Sequence, residues 1–438
     1  MLGAGLSAKI SRAMAALLRR GRRLLRIAPP GSRAPWSELP PDLLLLVLSR
    51  LPSHADRVRL RAVCRPWCSA ARLQPQPSPF AWLFVRADTF LALPEGALHR
   101  MPLDQSEILL RVPDATGNMF FLVHRDGSCY LMTNPPSGEI TPLHISSNSL
   151  KIDTSCRSYN WIRKVVVSDR IVAVPYSGMV TIFPRMASSP GGARLCWMLP
   201  TTFPVAAAHV DIDIALFQGE LYVLLTRTHN KRGSYLPELH RLEIDDEHNR
   251  FRSVRCIRGM PRNGPGLPAL SPTSTPRLNG VSPTCWRSVS YLVACGDRLL
   301  MVERHTLVEH LMVHTESATR ERGSRPIRTQ LEVWEGADLN DGHGHWREVD
   351  TLMGHALFIS RGCSRSLPAA QCGAREDCVY FVMAERPRFL PGRKREPQED
   401  VLHCVVYNVR HRVIHALETS EATASPWEPT WFFPPMLD

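Results

Sequence analysis

The apolar runs of this 438-residue chain, such as Leu43 to Leu48, stop far short of the roughly 20 residues that a bilayer-spanning helix needs, so no transmembrane segment is expected. Its twelve cysteines contain no Cys-x-x-Cys pair, and the closest two are Cys64 and Cys68. With no secretory signal expected, a disulfide scaffold is excluded, and reduced, mostly buried thiols of the cytosol or nucleus are the reading instead. There is no G-x-x-x-x-G-K-[ST] phosphate cradle, no strand-anchored G-x-G-x-x-G and no G-x-S-x-G nucleophile elbow. Asp245 and Asp246 are paired carboxylates, but in the polar run "IDDEHNR" they read as solvated turn residues. No nucleophile, base and stabiliser fall into a recognisable pattern, so no catalytic residue and no cofactor is expected.

Histidine comes nearest to a site. His305, His310 and His314 lie in "HTLVEHLMVH", and His343 and His345 in "HGHW". Neither spacing is that of an H-E-x-x-H helix, and Glu309 is misplaced for that role. Zinc needs three or four converging ligands, and these positions do not supply them in sequence, so no metal is expected.

Negative charge is missing where positive charge is richest. Residues 1–35 carry eight Lys/Arg and no Asp/Glu, and residues 36–75 carry six against three. Of the net charge of +12, only +1 is left for the other 363 residues. The bulk of the chain has no basic excess from which to build a nucleic-acid face, and nucleic acid is not expected as a partner. The segment "LSAKISRAMAALLRRGRRLLRI" spaces apolar residues at near-helical intervals between arginines. It suits a targeting peptide for plastid or mitochondrion, or a disordered basic extension.

Punctuation divides the rest. "APPGSRAP" ends the basic segment, and "QPQPSPF" marks a hinge at 74–80. From about Phe80 the texture is of short apolar, β-branched runs broken by turn residues: "FFLVHRDGSCYLM", "VVVSDRIVAV", "ALFQGELYVLL", "YLVACGDRLLMV" and "CVYFVMAE". The central three place Ser-Asp, Gln-Gly or Gly-Asp between two runs, as a β-hairpin does. Starts at 120, 165, 215 and 291 suit a repeating blade of about 40 to 50 residues with one insertion. That insertion is the Pro-rich 259–284, and a second polar stretch covers 386–400. No long amphipathic helix is expected after residue 80. The fold class is α+β in two parts, a small helical module at 36–73 and a large all-β propeller at 81–436, with the blade count unreadable. Trp334 and Trp346 are expected to pack between blades.

In the module, Pro40 and Pro41 fit a first helical turn and Asp42 complements the helix dipole. Leu43, Leu44, Val47, Leu48 and Leu51 make a broad apolar stripe, and Leu45 and Leu46 extend it nearly all round. A helix apolar all round must be covered on more than one side, which forty residues cannot do alone. A second helix is expected from Ser53 and a third around Cys64 to Trp67, with Pro66 in its first turn.

"WSELPPDLL" followed by "RAVCRPWCSAAR" resembles the F-box, the three-helix module that docks proteins onto the Skp-type adaptor of cullin-RING ubiquitin ligases. The resemblance implies that Leu39, Pro40, Leu43, Leu44, Leu48, Val63 and Trp67 touch the adaptor or support that face. Cys68 departs from the family, where a basic residue is more common. Further on, "LEVWEGADLNDGHGHWREVDTLMGHALFISRGCS", "EDCVYFVMAE", "VVYNV" and "PTWFFPP" resemble the plant family labelled domain of unknown function 295. Its members often pair an F-box with a kelch-like β-propeller, and no catalytic residues are assigned to it. The expectation is a non-enzymatic subunit of an SCF ligase, bound through the adaptor to a cullin, whose propeller holds a protein substrate. It would work in cytoplasm or nucleus. The alternative is an organelle-targeted propeller with a relic F-box.

Overall fold

The computed structural model describes residues 39–49, 60 and 63–72 of an N-terminal unit and, apart from connections between strands, 81–146, 162–259, 284–417 and 423–433 of a larger one. The two units are Met1–Phe80 with Met436–Asp438, and Ala81–Pro435. The basic segment 1–35, the hinge 74–80 and nearly all of the insertions 259–284 and 386–400 lie outside the described residues.

In the small unit α1 (Pro41–Ser49) opens on proline, whose missing amide costs nothing in a first turn. The amides of Leu43 and Leu44 bond to Pro40 O at 3.0 and 3.1 Å. In α2 (Arg65–Arg72) Pro66 is likewise in the first turn. Leu44, Val47 and Leu48, spaced i, i+3, i+4, pack on Leu60, Trp67, Ala70 and Ala71. The middle helix of the expected three lies outside the described residues, except that Leu60 is helical and fully buried.

The large unit is a six-bladed propeller built of six separate sheets. Blade one takes β1 (Trp82–Phe84), β2 (Thr89–Ala92) and β3 (Ala97–Arg100). Blade two is β4 (Ile108–Pro113), β5 (Phe120–His124), β6 (Ser128–Asn134) and β7 (Glu139–Ser146). Blade three is β8 (Val166–Val167), β9 (Ile171–Tyr176), β10 (Met179–Pro184) and β11 (Leu195–Met198). Blade four is β12 (Ala208–Phe217), β13 (Glu220–His229), β14 (Tyr235–Asp245) and β15 (Arg250–Ile257). Blade five is β16 (Thr284–Cys295), β17 (Arg298–Thr315), β18 (Ala318–Ala337) and β19 (His345–Glu348). Blade six holds β20 (His355–Ile359), β21 (Ser364–Pro368), the short α3 (Ala369–Cys372), β22 (Cys378–Glu385), β23 (Asp400–Asn408), β24 (Val413–Ala416) and β25 (Thr423–Ala424). The last strand, β26 (Thr430–Phe432), pairs antiparallel with β1 and completes blade one, so both ends of the large unit share one sheet.

The hairpin turns follow the sequence signals. Gln218 and Gly219 both have positive φ, 51° and 82°, as the type I′ turn between β12 and β13 requires. Apolar side chains leave both faces of the inner strands. On β13, Leu221, Val223 and Leu225 pack towards blade three. Tyr222 and Leu224 between them pack towards Leu292, Met301, Trp334 and Trp346 of blade five. Similar clusters join blades two and three, five and six, and one and two. Burial on both faces is why these strands read as continuous apolar runs rather than as alternating ones. Trp334 and Trp346 do pack between blades, at 4% and 1% exposure.

Blade six departs from a simple meander. β20 pairs parallel with β22, and β21 folds back onto the free edge of β20. From there Ser366 Oγ donates to Ala294 O of blade five at 2.8 Å. Ser364 N donates to Ala115 O, and Arg365 to Thr116 O, both in the loop after β4 of blade two. Blades two and five face each other across a six-bladed ring, so β21 lies across the central axis. Gly117 permits this approach: its φ is 70°, and a Cβ there would stand 2.7 Å from both Cys363 Sγ and Phe433 Cδ2.

Candidate functional site

The residues expected to meet an adaptor divide into two groups. Leu44, Leu48 and Trp67 are buried inside the small unit, at 1%, 4% and 3% exposure, and hold its helices together. Leu43 and Val63 are 43% and 49% exposed, Pro40 is exposed and Leu39 is half-buried. Of the apolar stripe, Leu43 is exposed while Leu44, Val47 and Leu48 are buried. Leu43 stands three residues before Leu46, which is 45% exposed, on an arc of α1 that α2 does not cover. Leu46 was missed as a candidate, although the all-round apolarity of α1 was the signal for it. Pro40, Leu43, Leu46 and Val63 are exposed apolar residues of this small unit.

The centre of the propeller is where an enzyme of this shape would keep its acids and bases. Buried charges do meet there. Lys164 Nζ lies 2.8 and 3.1 Å from the two carboxylate oxygens of Asp213. Asp213 also accepts from Ile214 N at 2.9 Å and from Leu292 N at 2.6 Å, tying blades three, four and five together. Burial raises the Asp213 carboxyl above the usual range, and Lys164 with the two amides pulls it back. Asp114 accepts from Thr116 N, Thr116 Oγ1, Asn118 N and Met119 N. Just before β22, Asp377 likewise accepts from Thr351 Oγ1 and Leu352 N, and pairs with the largely exposed Arg410 at 2.8 Å. Every oxygen of Asp114 and Asp213 already has two partners, so neither has a lone pair left for a substrate proton. Cys363 beside them is driven upwards by burial and by the Asp114 charge, the reverse of what an attacking thiol needs. These are braces.

The other sequence candidates scatter. His343 and His345 are exposed, and His345 Nδ1 is 3.6 Å from Asp338. Asp245 ends β14 opposite Arg250, while Asp246 lies outside the described residues. His310 and His314 lie far along the β17–β18 hairpin, and only His305 is described as buried. The described cysteines are all free thiols: Cys64 and Cys68 are half-buried, the other seven buried. Among the described residues no helix is long and apolar enough to cross a membrane.

Comparisons with known proteins find an F-box-like module followed by a β-propeller in this chain. The family model described as "F-box-like" matches residues 36–74, and "KIB1-4 beta-propeller" matches 90–408. The chain belongs to the KIB1-4 beta-propeller family. The "F-box protein At2g26160" of Arabidopsis thaliana is 53% identical over 36 residues, which is 8% of this chain and 11% of that one. Among solved structures, the WD40 domain of SCAP from fission yeast is 7% identical, covering 77% of this chain and 89% of that one at a TM-score of 0.25. An endo-arabinase from Bacteroides thetaiotaomicron is 12% identical, covering 75% and 95%, also at 0.25. The propeller assignment rests on the six sheets and the family match, and takes nothing from likenesses that weak.

Proposed function

We propose that this chain is the substrate-recognition subunit of an SCF-type cullin-RING ubiquitin ligase. Its F-box binds the Skp-type adaptor and through it a cullin, and its propeller holds a protein substrate. The chain itself performs no chemistry: it would accelerate ubiquitin transfer by holding the acceptor near the catalytic subunits. The resemblance of residues 331 onward to the domain of unknown function 295 is taken as a second description of the same propeller. The observation that carries the reading is the F-box-like match at 36–74 together with the exposed side chains of Leu43, Leu46 and Val63. An apolar patch of this kind on a small unit finds its cover in a partner.

The test is co-purification of the full chain with a Skp-type adaptor. Leu43→Asp with Leu46→Asp places two charges on the exposed arc without touching Leu44, Leu48 or Trp67. Adaptor capture should fall by at least tenfold while the propeller melts as before. Undiminished capture would defeat the reading. The basic, acid-free segment 1–35 supports a second reading, an organelle-targeted propeller with a relic F-box. A fluorescent fusion entering plastids or mitochondria, with no adaptor captured, would favour that one; otherwise cytoplasm or nucleus is the expected place.

A further inference from the structure

We infer that blade five carries a divalent-cation site formed by Glu303, His305 and Glu332. Glu303 and His305 are two apart on β17, so their side chains share a face of the sheet. Glu332 is the direct cross-strand partner of Glu303 on β18 and shares that face too. One donor atom from each of the three residues falls within 4.8 Å of the other two. His305 Nε2 is 3.6 Å from Glu303 Oε2, and both side chains are almost wholly buried, at 1% and 3% exposure. Zinc held at about 2.1 Å by such ligands sets them roughly 3.4 Å apart, so a small rotation of Glu332 closes the site.

Three further observations point to a missing ligand. Glu303 Oε1 is buried with no hydrogen-bond partner among the described residues. Ser290 Oγ is buried in the same condition, and Ser290 is the cross-strand partner of Glu303 on the other side, in β16. Two orphaned polar atoms on one buried face are more than a folded interior ordinarily tolerates. The carboxylates themselves make the second point. Two like charges directly opposite across a sheet repel, and burying them makes this worse. A dication against two carboxylates and a neutral imidazole leaves the site uncharged. Third, Ser288 Oγ lies 2.7 Å from His305 Nδ1. When Nδ1 donates to that hydroxyl, Nε2 keeps its lone pair facing Glu303, the usual support for a ligating histidine.

The donor set, one imidazole and two carboxylates, suits a first-row dication such as Zn2+ or Mn2+ rather than the softer ions that thiolates select. Glu332 is only half-buried, which gives the ion a way in. Bound there, it would staple β17 to β18 with β16 behind, independently of what the F-box does.

Titration of the metal-stripped full chain with Zn2+ tests this, followed calorimetrically and by thermal unfolding, with Co2+ as a spectroscopic stand-in. One equivalent should bind saturably and raise the unfolding midpoint, and Co2+ should give visible bands of low coordination number. His305→Gln and Glu332→Gln should remove that equivalent. Ser288→Ala, a positioning change, should weaken it by about 10- to 100-fold. Because Glu332 is half-buried, Glu332→Gln keeps the test valid should His305→Gln fail to fold. Absence of saturable binding, or binding that survives Glu332→Gln unchanged, overturns the inference. So does a stability that responds to pH at this cluster but not to metal.

Discussion

Removing the Asp213 carboxylate from beneath Lys164 measures how much the inner strands depend on one ion pair. Asp213→Ala leaves an ammonium that is 2% exposed with Leu292 O, at 3.4 Å, as its remaining recorded partner. It also strips the acceptor from Leu292 N and Ile214 N. Breaking one side of a buried pair costs about 3–5 kcal/mol, because the charge left behind stays desolvated. Unfolding a unit of roughly 350 residues gains about 0.7 kcal/mol/K in entropy, so 4 kcal/mol lowers the midpoint by about 5–6 °C. Lys164→Met should cost a similar amount, leaving Asp213 unpaired but still bonded to its two amides. The double change, Lys164→Met with Asp213→Leu, removes both charges and should cost clearly less than the two single changes added. Denaturant and thermal unfolding of the four proteins close this cycle. A midpoint moved by less than about 1 °C in Asp213→Ala, or strict additivity in the cycle, would refute the clamp between blades three, four and five.

Gly117→Ala should destabilise by about 2–4 kcal/mol, since it adds overpacking against Cys363 and Phe433 to the strain of a left-handed φ. Gly219→Ala shares the positive φ but meets open space, so unfolding should record about 1 kcal/mol. Trp431 is fully buried where β26 closes the ring and donates to Ile359 O at 2.9 Å. Trp431→Ala should cost about 3–5 kcal/mol in denaturant unfolding, and a loss under 1 kcal/mol would contradict its role in closure. Burial pushes the Cys129 and Cys404 thiols up to about 12, so a thiol reagent at pH 8 should spare both until the chain is denatured. The same raised values give a pH dependence. Unfolded thiols ionise near their ordinary value of 9.0 while the folded ones keep their protons. Their contribution is therefore complete below pH 9 and declines as pH rises towards 12, a slope that Cys129→Ala and Cys404→Ala together should reduce.

Much of the propeller was legible because its signals are local. Gln218-Gly219 announces a turn by its own chemistry, and the apolar run 221–225 announces a strand buried on both faces. The six blades were not legible, because β1 and β26 complete one sheet from opposite ends of the unit and neither carries a period of its own. The return of β21 across the axis was equally hidden. "SRSLP" has no strong strand pattern, and its partners, Ala115, Thr116 and Ala294, are supplied by blades two and five. In the small unit Leu44, Leu48 and Trp67, named from the sequence as touching the adaptor or supporting that face, pack inside the unit's own core. The sequence could not tell which leucines α2 covers, so Leu43, which is exposed, was grouped with the buried Leu44 and Leu48, and Leu46 was not named as a candidate.

The Glu303–His305–Glu332 cluster failed to appear in the sequence for a more specific reason. Counted back from the hairpin end, where Thr315 faces Ala318, a regular ladder would set Glu303 opposite Gln330. The observed partner is Glu332, because the register shifts twice, between Leu307 and Val308 and between Leu311 and Met312. Both extra residues are on β18, and one of them, Ile327, follows Pro326, which cannot donate to a ladder and so belongs at such a break. One bulge alone would have turned Glu332 to the opposite face, away from His305. Two bulges restore the face and advance the partner by two residues. Deleting Ile327 removes one of them: it should turn the far part of the hairpin over relative to Glu303 while leaving the three ligands facing one another if blade five holds its own register. Zn2+ binding that survives this deletion would locate the determinant of the register in the blade's core at Val302, Leu331 and Val333. Binding that is lost would locate it in the hairpin beyond.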